Sequence, residues 1–339
     1  MRFAVLAINH RHIYDMVKGL LDAGGICAGF DPTDGEERIV HGLCERFPEL
    51  TRRPMAALLA DPTVDLVAIA GIPAERAGLA IRAMQAGKDA IVDKPGVTSF
   101  EQLQEVQAAV AATGRIFSIC FTERFLVPAT TVAHELIRDG AIGRVVQTIG
   151  LGPHRLNRAT RPAWFFESRW SGGILTDIAS HQIDQFLYFT GSSDAEVVTS
   201  AVGHYGEADL PGFEDFGEIL LRSPTANGYV RVDWFTADGL PTWGDGRLTI
   251  LGTEGTIELR KYVDIAGRPG TDHVFLVDRG GTRHIDASTR PLTYFRNLLA
   301  DVRDRTETAM GQEHVFTVCR LSLEAQAKAT RLGPHPTPQ

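Results

Sequence analysis

The sequence predicts an α/β plus α+β protein in which a doubly wound parallel sheet comes first and a mostly antiparallel, open sheet follows. In residues 1–121, short runs that are apolar throughout alternate with amphipathic segments, which is typical of a parallel sheet covered on both faces. Beyond about residue 145, β-rich runs follow one another without an intervening helix, which indicates antiparallel pairing. We therefore expect a Rossmann-type domain at 1–122, an α+β domain at 123–332 and a Pro-rich tail at 333–339.

The first domain divides into predicted strands, each dominated by apolar side chains, and the helices between them. The strands are 3–7, 25–30, 66–70, 89–93 and 115–121. The helices are 13–23, 35–47, 55–59, 74–86 and 100–113. Ser99, with Gln102 three residues later, predicts the start of the last helix, and Gly87 and Gly114 predict the ends of two helices.

The second domain carries six predicted strands and one inserted helix, and two further helices close the chain before the tail. The strands are 145–151, 196–204, 217–221, 229–234, 248–251 and 256–259. Gly252-Thr253-Glu254-Gly255 separates the last two strands and predicts a hairpin between them. The inserted helix is expected to form one long stretch over roughly 173–189.

The composition is that of a globular protein and excludes several classes of partner. Lys and Arg number 34 against 42 Asp and Glu, a formal net charge of −8 without any basic block, so we expect no nucleic-acid partner. The longest apolar runs are strand-sized, far below the roughly 20 residues of a membrane-spanning helix, so we expect no membrane partner. The four cysteines are scattered without a CxxC spacing, which argues against a zinc or disulfide framework and favours a cytoplasmic protein.

The turn after the first strand reads Ala7-Ile8-Asn9-His10-Arg11-His12, where nucleotide-binding α/β domains carry G-x-G-x-x-G. Because this turn contains no glycine, two interpretations stay open: a dinucleotide site, and an α/β domain that binds no nucleotide. Asp31 follows the second strand about 20 residues later, the separation at which a carboxylate binds the adenosine ribose and favours NAD over NADP. An aspartate before Pro32 is also typical of a helix start.

Lys94 follows an apolar strand and precedes Pro95, at the carboxyl end of the predicted parallel sheet. Ligands of such sheets lie outside the carboxyl ends of the strands. A lysine there can donate to a substrate hydroxyl and place positive charge beside a developing alkoxide. The alternative is a surface lysine in a salt bridge with Asp93.

Asp177 and His181 lie four residues apart on the predicted helix, so they share one face, and Asp184 follows one turn later. A carboxylate beside an imidazole fixes its tautomer and raises its pKa, which suits a general acid/base. Two alternatives stay open: a metal site formed by the three residues, and a purely structural Asp–His hydrogen bond. No further Cys or His cluster supports a metal, so we expect none.

Together these segments resemble the Gfo/Idh/MocA family, the group of glucose–fructose oxidoreductase and inositol dehydrogenase. The stretch 87–95 resembles the family's G-K-H-V-x-x-E-K-P strand, with Asp93 in place of Glu. The other matching segments are Arg124-Phe125 with Pro128 (R-F-x-P), Gly140-Ala141-Ile142-Gly143 (G-x-I-G), Gly172-Gly173 with Asp177 and His181 (G-G-x-x-x-D-x-x-x-H) and Gly252-Thr253-Glu254-Gly255 (G-T-x-G).

The resemblance implies an NAD(P)-dependent oxidoreductase that transfers a hydride between the nicotinamide and a secondary hydroxyl or ketone of a sugar, inositol or related polyol. It implies that Lys94 contacts the nicotinamide side and the substrate, that His181 is the general acid/base, and that Asp177 is its partner. NAD is the expected cofactor, and NADP is possible. The residues expected to contact the cofactor are Ala7, Asn9, His10, Arg11, His12, Asp31, Ile72, Pro73, Lys94 and Pro95.

In the glycine-free turn, Asn9 is expected to adopt the left-handed conformation, and His10, Arg11 and His12 to donate from their side chains to the pyrophosphate. The helix that begins near residue 13 adds free N–H groups and the positive end of its dipole. The segment 153–165 combines aromatic rings with polar groups, as a sugar site does, although surface or interface packing is its alternative. The expected substrate contacts are Arg124, His154, Arg155, Asn157, Trp164, Asp177 and His181.

Two other functions stay open at this point. One is a redox-neutral elimination in which NAD transiently oxidises a sugar, and the other is a ligand-sensing protein that has lost catalysis. The sheet face between residues 196 and 259 carries few obvious charges, and such faces are usually covered. Because the resembling family packs two such sheets together, we expect a homodimer or homotetramer.

Overall fold

A computed structural model of the protein describes residues 1–206 and 209–333, so the predicted tail from residue 334 on lies outside the described residues. The chain forms two compact units. Met1–Cys120 and Thr293–Cys319 form the first unit, and Phe121–Leu292 with the chain from Arg320 on forms the second. The segment Thr293–Cys319, which the sequence analysis assigns to the second domain, therefore groups with the first unit. The domain boundaries 1–122 and 123–332 themselves stay a prediction.

Within the described residues, the first unit contains a five-stranded parallel sheet. Its strands are β1 (Arg2–Ile8), β2 (Ile26–Phe30), β3 (Leu66–Ala70), β4 (Asp89–Asp93) and β5 (Phe117–Cys120). The accompanying helices are α1 (His12–Asp22), α2 (Glu37–Arg46), α3 (Met55–Ala60), α4 (Pro73–Gln85) and α5 (Phe100–Thr113). The strand order β2-β1-β3-β4-β5, parallel throughout, confirms the predicted Rossmann-type sheet.

In the first unit, the burial of the apolar strands and the two ends of α5 agree with the prediction. β3 and β4 are buried at every residue, and α4 packs against both of them. The Ser99 hydroxyl caps α5 by accepting a hydrogen bond of 3.2 Å from the main-chain N–H of Gln102. Gly114 ends the same helix in the left-handed conformation, with φ +62°.

The carboxyl ends of β1 to β4 carry most of the residues expected to bind the cofactor. Because these strands are parallel, their carboxyl ends lie at one edge of the sheet. Asn9 follows β1, Asp31 follows β2, Gly71 follows β3 and Lys94 follows β4. This edge is where parallel α/β sheets bind their ligands.

The described part of the second unit contains a nine-stranded sheet and short helices. The strands are β6 (Val145–Pro153), β7 (Glu196–Gly203), β8 (Phe216–Arg222), β9 (Asn227–Asp233), β10 (Arg247–Gly252), β11 (Thr256–Arg260), β12 (His273–Asp278), β13 (Gly281–Asp286) and β14 (Thr330–Leu332). The helices are α6 (Thr122–Phe125), α7 (Pro128–Arg138), α8 (Ser168–Ser171), α9 (Ile174–Asp177) and α10 (Ala179–Thr190), with 3-10 turns at Arg158–Thr160 and Ala163–Phe166. Near the end of the chain follow α11 (Tyr294–Asp304) and α12 (Gln312–Lys328).

The sheet order is β13-β12-β11-β10-β6-β9-β8-β7-β14. Its pairs are antiparallel except β6 with β9 and β7 with β14, which confirms a mostly antiparallel α+β domain. The predicted hairpin joins β10 to β11. α10 packs against β6 and β9, and α7 packs against β11 and β12, which buries the alternate apolar residues of these strands. Among the described helices, none combines the length and the apolar character needed to span a bilayer.

The prediction of one continuous helix over 173–189 is wrong, because the chain breaks between α9 and α10 at Ile178. The Ser180 hydroxyl donates to the main-chain oxygen of Asp177 at 3.0 Å. The main-chain N–H of His181 then donates to Ile178, one residue short of the α-helical acceptor. A serine that takes a main-chain acceptor in this way competes with the helix.

Candidate active site

Lys94 lies buried at the end of β4 in a backbone that Arg76 holds. Lys94 is 5% exposed and Asp93 is 0% exposed, so the alternative of a surface lysine is wrong. The guanidinium of Arg76 donates to the main-chain oxygens of Asp93 (3.1 Å), Lys94 and Pro95 (3.2 Å). It also donates to the main-chain oxygen of Gly71 at 2.8 Å. One arginine therefore ties the end of β3 to the end of β4 and fixes the backbone that carries Lys94.

The Asp93 carboxylate accepts hydrogen bonds from three side chains. Oδ2 lies 2.7 Å from His10 Nδ1 and 3.1 Å from Arg76 Nη2, and Oδ1 lies 2.9 Å from His12 Nδ1. Burial by itself raises the pKa of Asp93, but the neighbouring His12 and Arg76 outweigh it and hold that pKa well below its usual range. Burial, with repulsion from His12, lowers the pKa of His10 to about 3. At neutral pH Asp93 is therefore ionised and His10 is neutral.

Arg76 is the residue at this site that sequence reasoning missed. It lies on the buried face of α4, where its neighbours at helical spacing are Pro73, Ala80 and Ala83. A single arginine on an otherwise small and apolar helix face is a signal of a buried charge, because arginine is almost never buried unless it is paired. Its partner could not be read from spacing, since Asp93 belongs to the next strand.

The left-handed residue of the glycine-free turn is Ala7, with φ +53°, so the expectation that Asn9 takes this conformation is wrong. The register of β1 against β3 shifts at this residue. A Cβ on Gly71 would lie 2.9 Å from the Cβ of Ala7, so Gly71 makes room for the Ala7 side chain. Gly71, at the end of the neighbouring strand β3, thus leaves the space that Ala7 needs in a turn without glycine.

Asn9 and His10 are bonded within the first unit. The main-chain N–H groups of both residues donate to the oxygen of Ala70 at 3.0 Å. The Asn9 side chain donates from Nδ2 to the main-chain oxygen of Asp34 at 2.8 Å. These main-chain donors are therefore directed at β3. Arg11 and His12, at the start of α1, are the remaining residues of the turn.

The carboxylate of Asp31 is anchored at the end of β2. Oδ1 accepts from the main-chain N–H of Thr33 at 2.9 Å, and Oδ2 accepts from that of Met55 at 2.5 Å. Burial raises the pKa of Asp31, but these hydrogen bonds outweigh it and lower that pKa. Met55 begins α3, so Asp31 contacts the start of a helix that is distant in the chain, whereas no helix begins at Pro32, as the alternative interpretation would require, because α2 starts at Glu37. The Thr33 side chain also bonds to this carboxylate, and the ribose role of Asp31 stays a prediction.

The remaining cofactor candidates of the first unit lie beside these groups. Ile72 precedes α4, and Pro73 is its first residue. Proline suits this position because the first turn of a helix has no main-chain partner for its N–H. The Lys94–Pro95 peptide bond is cis.

In the second unit, Asp177 and His181 lie on opposite sides of the helix break. Asp177 is the last residue of α9 and is half-buried, whereas His181 lies in the first turn of α10 and is 1% exposed. The ring of Phe121 meets the imidazole edge-on, with 6.0 Å between the ring centroids. Because the pairing of Asp177 with His181 was inferred from a continuous helix, it stays a prediction.

A buried polar network that the sequence analysis did not find adjoins His181. Glu123 Oε2 accepts from Lys261 Nζ at 2.9 Å and from Gln182 Nε2 at 2.8 Å. Lys261 also donates to Gln185 Oε1 at 2.7 Å, and Gln185 Nε2 donates to the main-chain oxygen of His181 at 2.9 Å. Burial raises the pKa of Glu123, but Lys261, with His181, outweighs it and holds that pKa below its usual range. The network supports α10 at the residue expected to transfer a proton.

Arg124 is engaged inside the second unit. Its guanidinium forms a buried bidentate pair with Asp184, with two hydrogen bonds of 2.7 Å, and lies over the rings of Phe125 and Tyr188. This geometry gives Arg124 a structural role and does not support the expected substrate contact. Asp184 is likewise committed to Arg124, which argues against a metal site formed by Asp177, His181 and Asp184.

The segment expected to contact the substrate has mixed roles. Arg155 donates to the main-chain oxygens of Ala237 (2.8 Å) and Leu240 (2.6 Å), so it fastens a loop, and this does not support substrate binding. The imidazole of His154 packs against Trp243, with ring centroids 4.6 Å apart. Asn157 is exposed in the left-handed conformation, with φ +49°, and it precedes a 3-10 turn.

Trp164 lies next to a cluster of aromatic rings. Its indole is half-buried, and the Phe165 ring that it meets packs in turn on Trp234. A cavity of about 20 Å³, room for a single water molecule, is bordered by Phe165, Trp234 and Asp177. Of the aromatic residues in the segment 153–165, Phe165 therefore lies beside a proposed catalytic carboxylate, and the substrate contact of Trp164 stays a prediction.

Within residues 1–206 and 209–333, one group of three side chains has the composition of a metal site: His10, His12 and Asp93, whose ligand atoms lie within 4.8 Å of one another. Arg76 already pairs with the carboxylate of this group at 3.1 Å. A cation would have to share Asp93 with that guanidinium. We therefore assign the cluster to hydrogen bonding.

Comparison with known proteins agrees with this geometry. Residues 36–121 match the family model described as oxidoreductase family, NAD-binding Rossmann fold. Residues 130–258 match the model of the GFO/IDH/MocA C-terminal domain. The crystal structure of a putative oxidoreductase from Erwinia carotovora atroseptica SCRI1043 is 46% identical, with a TM-score of 0.94 over 98% of this chain and 99% of that chain. The chain belongs to the Gfo/Idh/MocA oxidoreductase family.

Other members of the Gfo/Idh/MocA family are similar along most of the chain. The scyllo-inositol 2-dehydrogenase (NAD(+)) of Bacillus subtilis (strain 168) is 29% identical over 293 residues, 82% of this chain and 80% of that protein. Levoglucosan dehydrogenase, in complex with NADH and levoglucosan, has a TM-score of 0.78 at 19% identity over 97% of this chain and 98% of that chain. The latter likeness shows the fold alone. The predicted family resemblance is confirmed.

As a Gfo/Idh/MocA protein, the chain carries a Rossmann domain of the NAD-binding type, which confirms the predicted cofactor class. The residues at the carboxyl edge of the sheet fit NAD although the glycines are missing. Ala7 keeps a left-handed turn, Gly71 gives it room, and Asp31 holds an ionised carboxylate at the end of β2. Arg11, exposed at the start of α1, offers a positive charge where this fold places a diphosphate.

Proposed function

We propose that this protein is an NAD-dependent dehydrogenase that oxidises a secondary hydroxyl of a cyclic polyol or sugar, or reduces the corresponding ketone. The observation that carries the proposal is the buried Lys94 at the carboxyl end of β4, with its backbone held by Arg76. A lysine is rarely buried without a function or a partner. The names of the relatives support the substrate class, since they include a scyllo-inositol dehydrogenase and a levoglucosan dehydrogenase.

Lys94 is proposed to donate a hydrogen bond to the reacting oxygen of the substrate. Its positive charge stabilises the alkoxide character that develops on this oxygen as the carbon–hydrogen bond breaks. The rigid main chain around it favours this role, because a preorganised donor does not have to be reoriented during the reaction. NAD, when bound, accepts the hydride.

His181 is proposed to accept the proton of the substrate hydroxyl in oxidation and to return it in reduction. Gln185 and the Glu123–Lys261 pair fix the first turn of α10, which holds the imidazole in place. Asp177 is proposed to orient His181 and to bind a neighbouring substrate hydroxyl. The half-buried indole of Trp164 is proposed to pack on the apolar face of the sugar ring.

The test of the proposed function is a screen of sugars, inositols and sugar acids with NAD and with NADP, followed by the absorbance of the reduced cofactor. We expect turnover with NAD on at least one cyclic polyol or sugar, and turnover about 10²- to 10³-fold slower in a Lys94→Met variant that still binds NAD. Product formation without net NADH would replace the proposal by a redox-neutral elimination. Binding of NAD without turnover of any compound would favour a ligand-sensing protein.

We also propose a homodimer or homotetramer that forms through the open face of the nine-stranded sheet. Leu251 on β10 and Val277 on β12 are 41% and 48% exposed, although both are large apolar residues. Charges on β11, the strand between these two, are paired within the chain, as in the 2.8 Å contact of Arg260 with Glu258. Light scattering at micromolar concentration is the test, and a monomer would contradict the proposal.

A cytoplasmic location is proposed for the protein as well. Its four cysteines are free thiols, and two of them are buried in the apolar interior. Unpaired thiols are typical of a reducing compartment. Fractionation of cells that express the full chain tests this proposal, and recovery from an oxidising compartment would contradict it.

A further inference from the structure

We propose that His10 determines how the cofactor is recognised: it accepts a hydrogen bond from a ribose hydroxyl of NAD and does not bind a phosphate, and Asp93 is the positioning residue that holds it in this state. The inference rests on the proposed NAD-dependent function. It replaces the expectation that His10 donates to the pyrophosphate.

Asp93 determines where the hydrogens lie on the rings of His10 and His12. An ionised carboxylate only accepts hydrogen bonds. His10 Nδ1 and His12 Nδ1 lie 2.7 and 2.9 Å from its two oxygens, so both nitrogens must carry a hydrogen and donate. Arg76, bonded to the same carboxylate at 3.1 Å, keeps it ionised. Asp93 therefore fixes the tautomer of both rings.

The other ring nitrogen of His10, Nε2, is available as a hydrogen-bond acceptor. In a neutral ring with its hydrogen on Nδ1, Nε2 carries a lone pair and is an acceptor. This nitrogen is directed away from Asp93, and 20% of the side chain stays exposed. Burial, together with the neighbouring His12 and Lys94, opposes a second proton more strongly than Asp93 attracts one, which is why the pKa of His10 is lowered to about 3.

The ligand group that suits Nε2 is a hydroxyl and not a phosphate. Phosphate oxygens are acceptors, so a neutral Nε2 gains no hydrogen bond from them, whereas a hydroxyl group can donate to it. The hydroxyl groups that NAD offers on either side of its diphosphate belong to its two riboses. His10 is bonded to the residue that precedes Lys94, on the proposed nicotinamide side. We therefore assign the ribose of the nicotinamide half to His10.

The test compares two ligands by calorimetry. ADP-ribose contains both riboses and the diphosphate, whereas ADP lacks the second ribose. In the His10→Ala variant we expect the affinity for ADP-ribose to fall by about three- to tenfold, the loss of one neutral hydrogen bond, while that for ADP stays within about twofold. His41→Ala is the matched control, because His41 is an exposed histidine of α2 and should change neither affinity. Equal losses for both ligands, or no loss for either, would overturn the inference.

A second measurement keeps the test independent of the folding of the variant. In wild-type protein with ¹⁵N-labelled histidine, the Nε2 resonance of His10 should have the position of an unprotonated nitrogen at pH 7. It should shift on addition of ADP-ribose and stay unchanged with ADP. In Asp93→Asn, which can donate as well as accept, the tautomer pattern of His10 should change and the preference for ADP-ribose over ADP should shrink. A protonated Nε2 at pH 7 would contradict the inference, whereas failure of NAD and ADP alike to bind would overturn the proposed function itself.

Discussion

Arg76 and Lys94 are joined by a hydrogen bond in which the arginine side chain donates to the main-chain oxygen of the lysine. The same guanidinium pairs with Asp93, which is fully buried, and bonds to Gly71. The buried cation of Arg76 thus contacts the main chain of Lys94, the residue proposed to stabilise the transition state. A substitution of Arg76 is therefore expected to change both the stability of the protein and the rate of its reaction.

Arg76→Met should destabilise the protein by about 3 kcal/mol, because removal of one partner leaves the other charge buried. It should also lower kcat, since the backbone of Lys94 loses its support. Chemical denaturation and steady-state kinetics measure the two effects. Arg82→Met, at an exposed position of the same helix, is the control and should change neither quantity. An Arg76→Met protein of wild-type stability would contradict the importance of the buried pair.

Lys94→Met should reduce kcat by about 10²- to 10³-fold, the usual loss for one preorganised contact to a developing oxyanion. The affinity for NAD should change far less. Stopped-flow kinetics and calorimetry separate these two effects, and Lys18→Met, at an exposed salt bridge of α1, is the control. Near-normal turnover in Lys94→Met would exclude the proposed role.

His181→Asn should remove one limb of the pH profile of the oxidation. If His181 accepts the substrate proton, the wild-type rate rises with pH through a single ionisation, because only the neutral imidazole is a base. The variant, which keeps a polar side chain of similar reach, should show a low rate without that limb. The measurement is kcat/KM against pH, and an unchanged profile would assign the base to another residue.

The sequence predicts best those elements whose pattern of polar and apolar residues depends only on residues adjacent in the chain. Strands 66–70 and 89–93 were predicted with their observed bounds, because each is a short apolar run between polar residues. β13 was missed because almost all of its residues are exposed, so it shows no alternation of polar and apolar positions. The break at Ile178 was missed because it depends on one hydroxyl of Ser180 that takes a main-chain acceptor.

In the candidate site too, residues that are recognisable from their neighbours in the chain were predicted, and contacts between distant segments were not. Lys94 could be proposed from its own neighbours, a strand before it and a proline after it. The pairs of Arg76 with Asp93 and of Glu123 with Lys261 join residues from different elements, so no spacing in the chain reveals them. Ala7 was overlooked because sterics disfavour alanine in the left-handed region, and only Gly71 beside it provides the room.

The lowered pKa of His10 predicts how stability depends on pH. The pKa is about 3 in the folded protein against an ordinary value of 6.5, so below pH 6.5 the unfolded chain binds a proton that the folded protein does not. The free energy of unfolding should therefore decrease as the pH falls from about 6.5 towards 3, with a slope of up to about 1.4 kcal/mol per pH unit from this group. His10→Asn, which keeps a donor near the position of Nδ1, should flatten this slope. Denaturation between pH 4 and 7 measures it.

Asp93 contributes to stability in a lower pH window. Its pKa is lowered in the folded protein, so its contribution is complete above its unfolded pKa of about 3.9 and is lost as the pH falls through the folded value. Between pH 4 and 7 the slope should thus reflect His10 and not Asp93. A slope that is the same in wild type and His10→Asn would contradict the neutral state of His10.

Arg11 is the residue of the glycine-free turn that we expect to contact the diphosphate. The main-chain N–H groups of Asn9 and His10 are directed at Ala70, and His10 is neutral, so neither residue supplies the positive charge that a diphosphate needs. Arg11 is exposed and stands immediately before α1, whose first N–H groups and dipole also attract an anion.

Arg11→Ala should therefore weaken NAD and ADP alike by more than about tenfold, since charge-assisted hydrogen bonds are worth about 1.5–3 kcal/mol. The loss should shrink at high salt, because screening reduces the interaction of an exposed charge. Calorimetry at two salt concentrations measures both effects, with Lys18→Ala as the control for a general change in the charge of α1. A loss confined to NAD, with ADP unaffected, would move Arg11 away from the diphosphate. Unchanged affinity for both would mean that the start of α1 binds the diphosphate through its main chain alone.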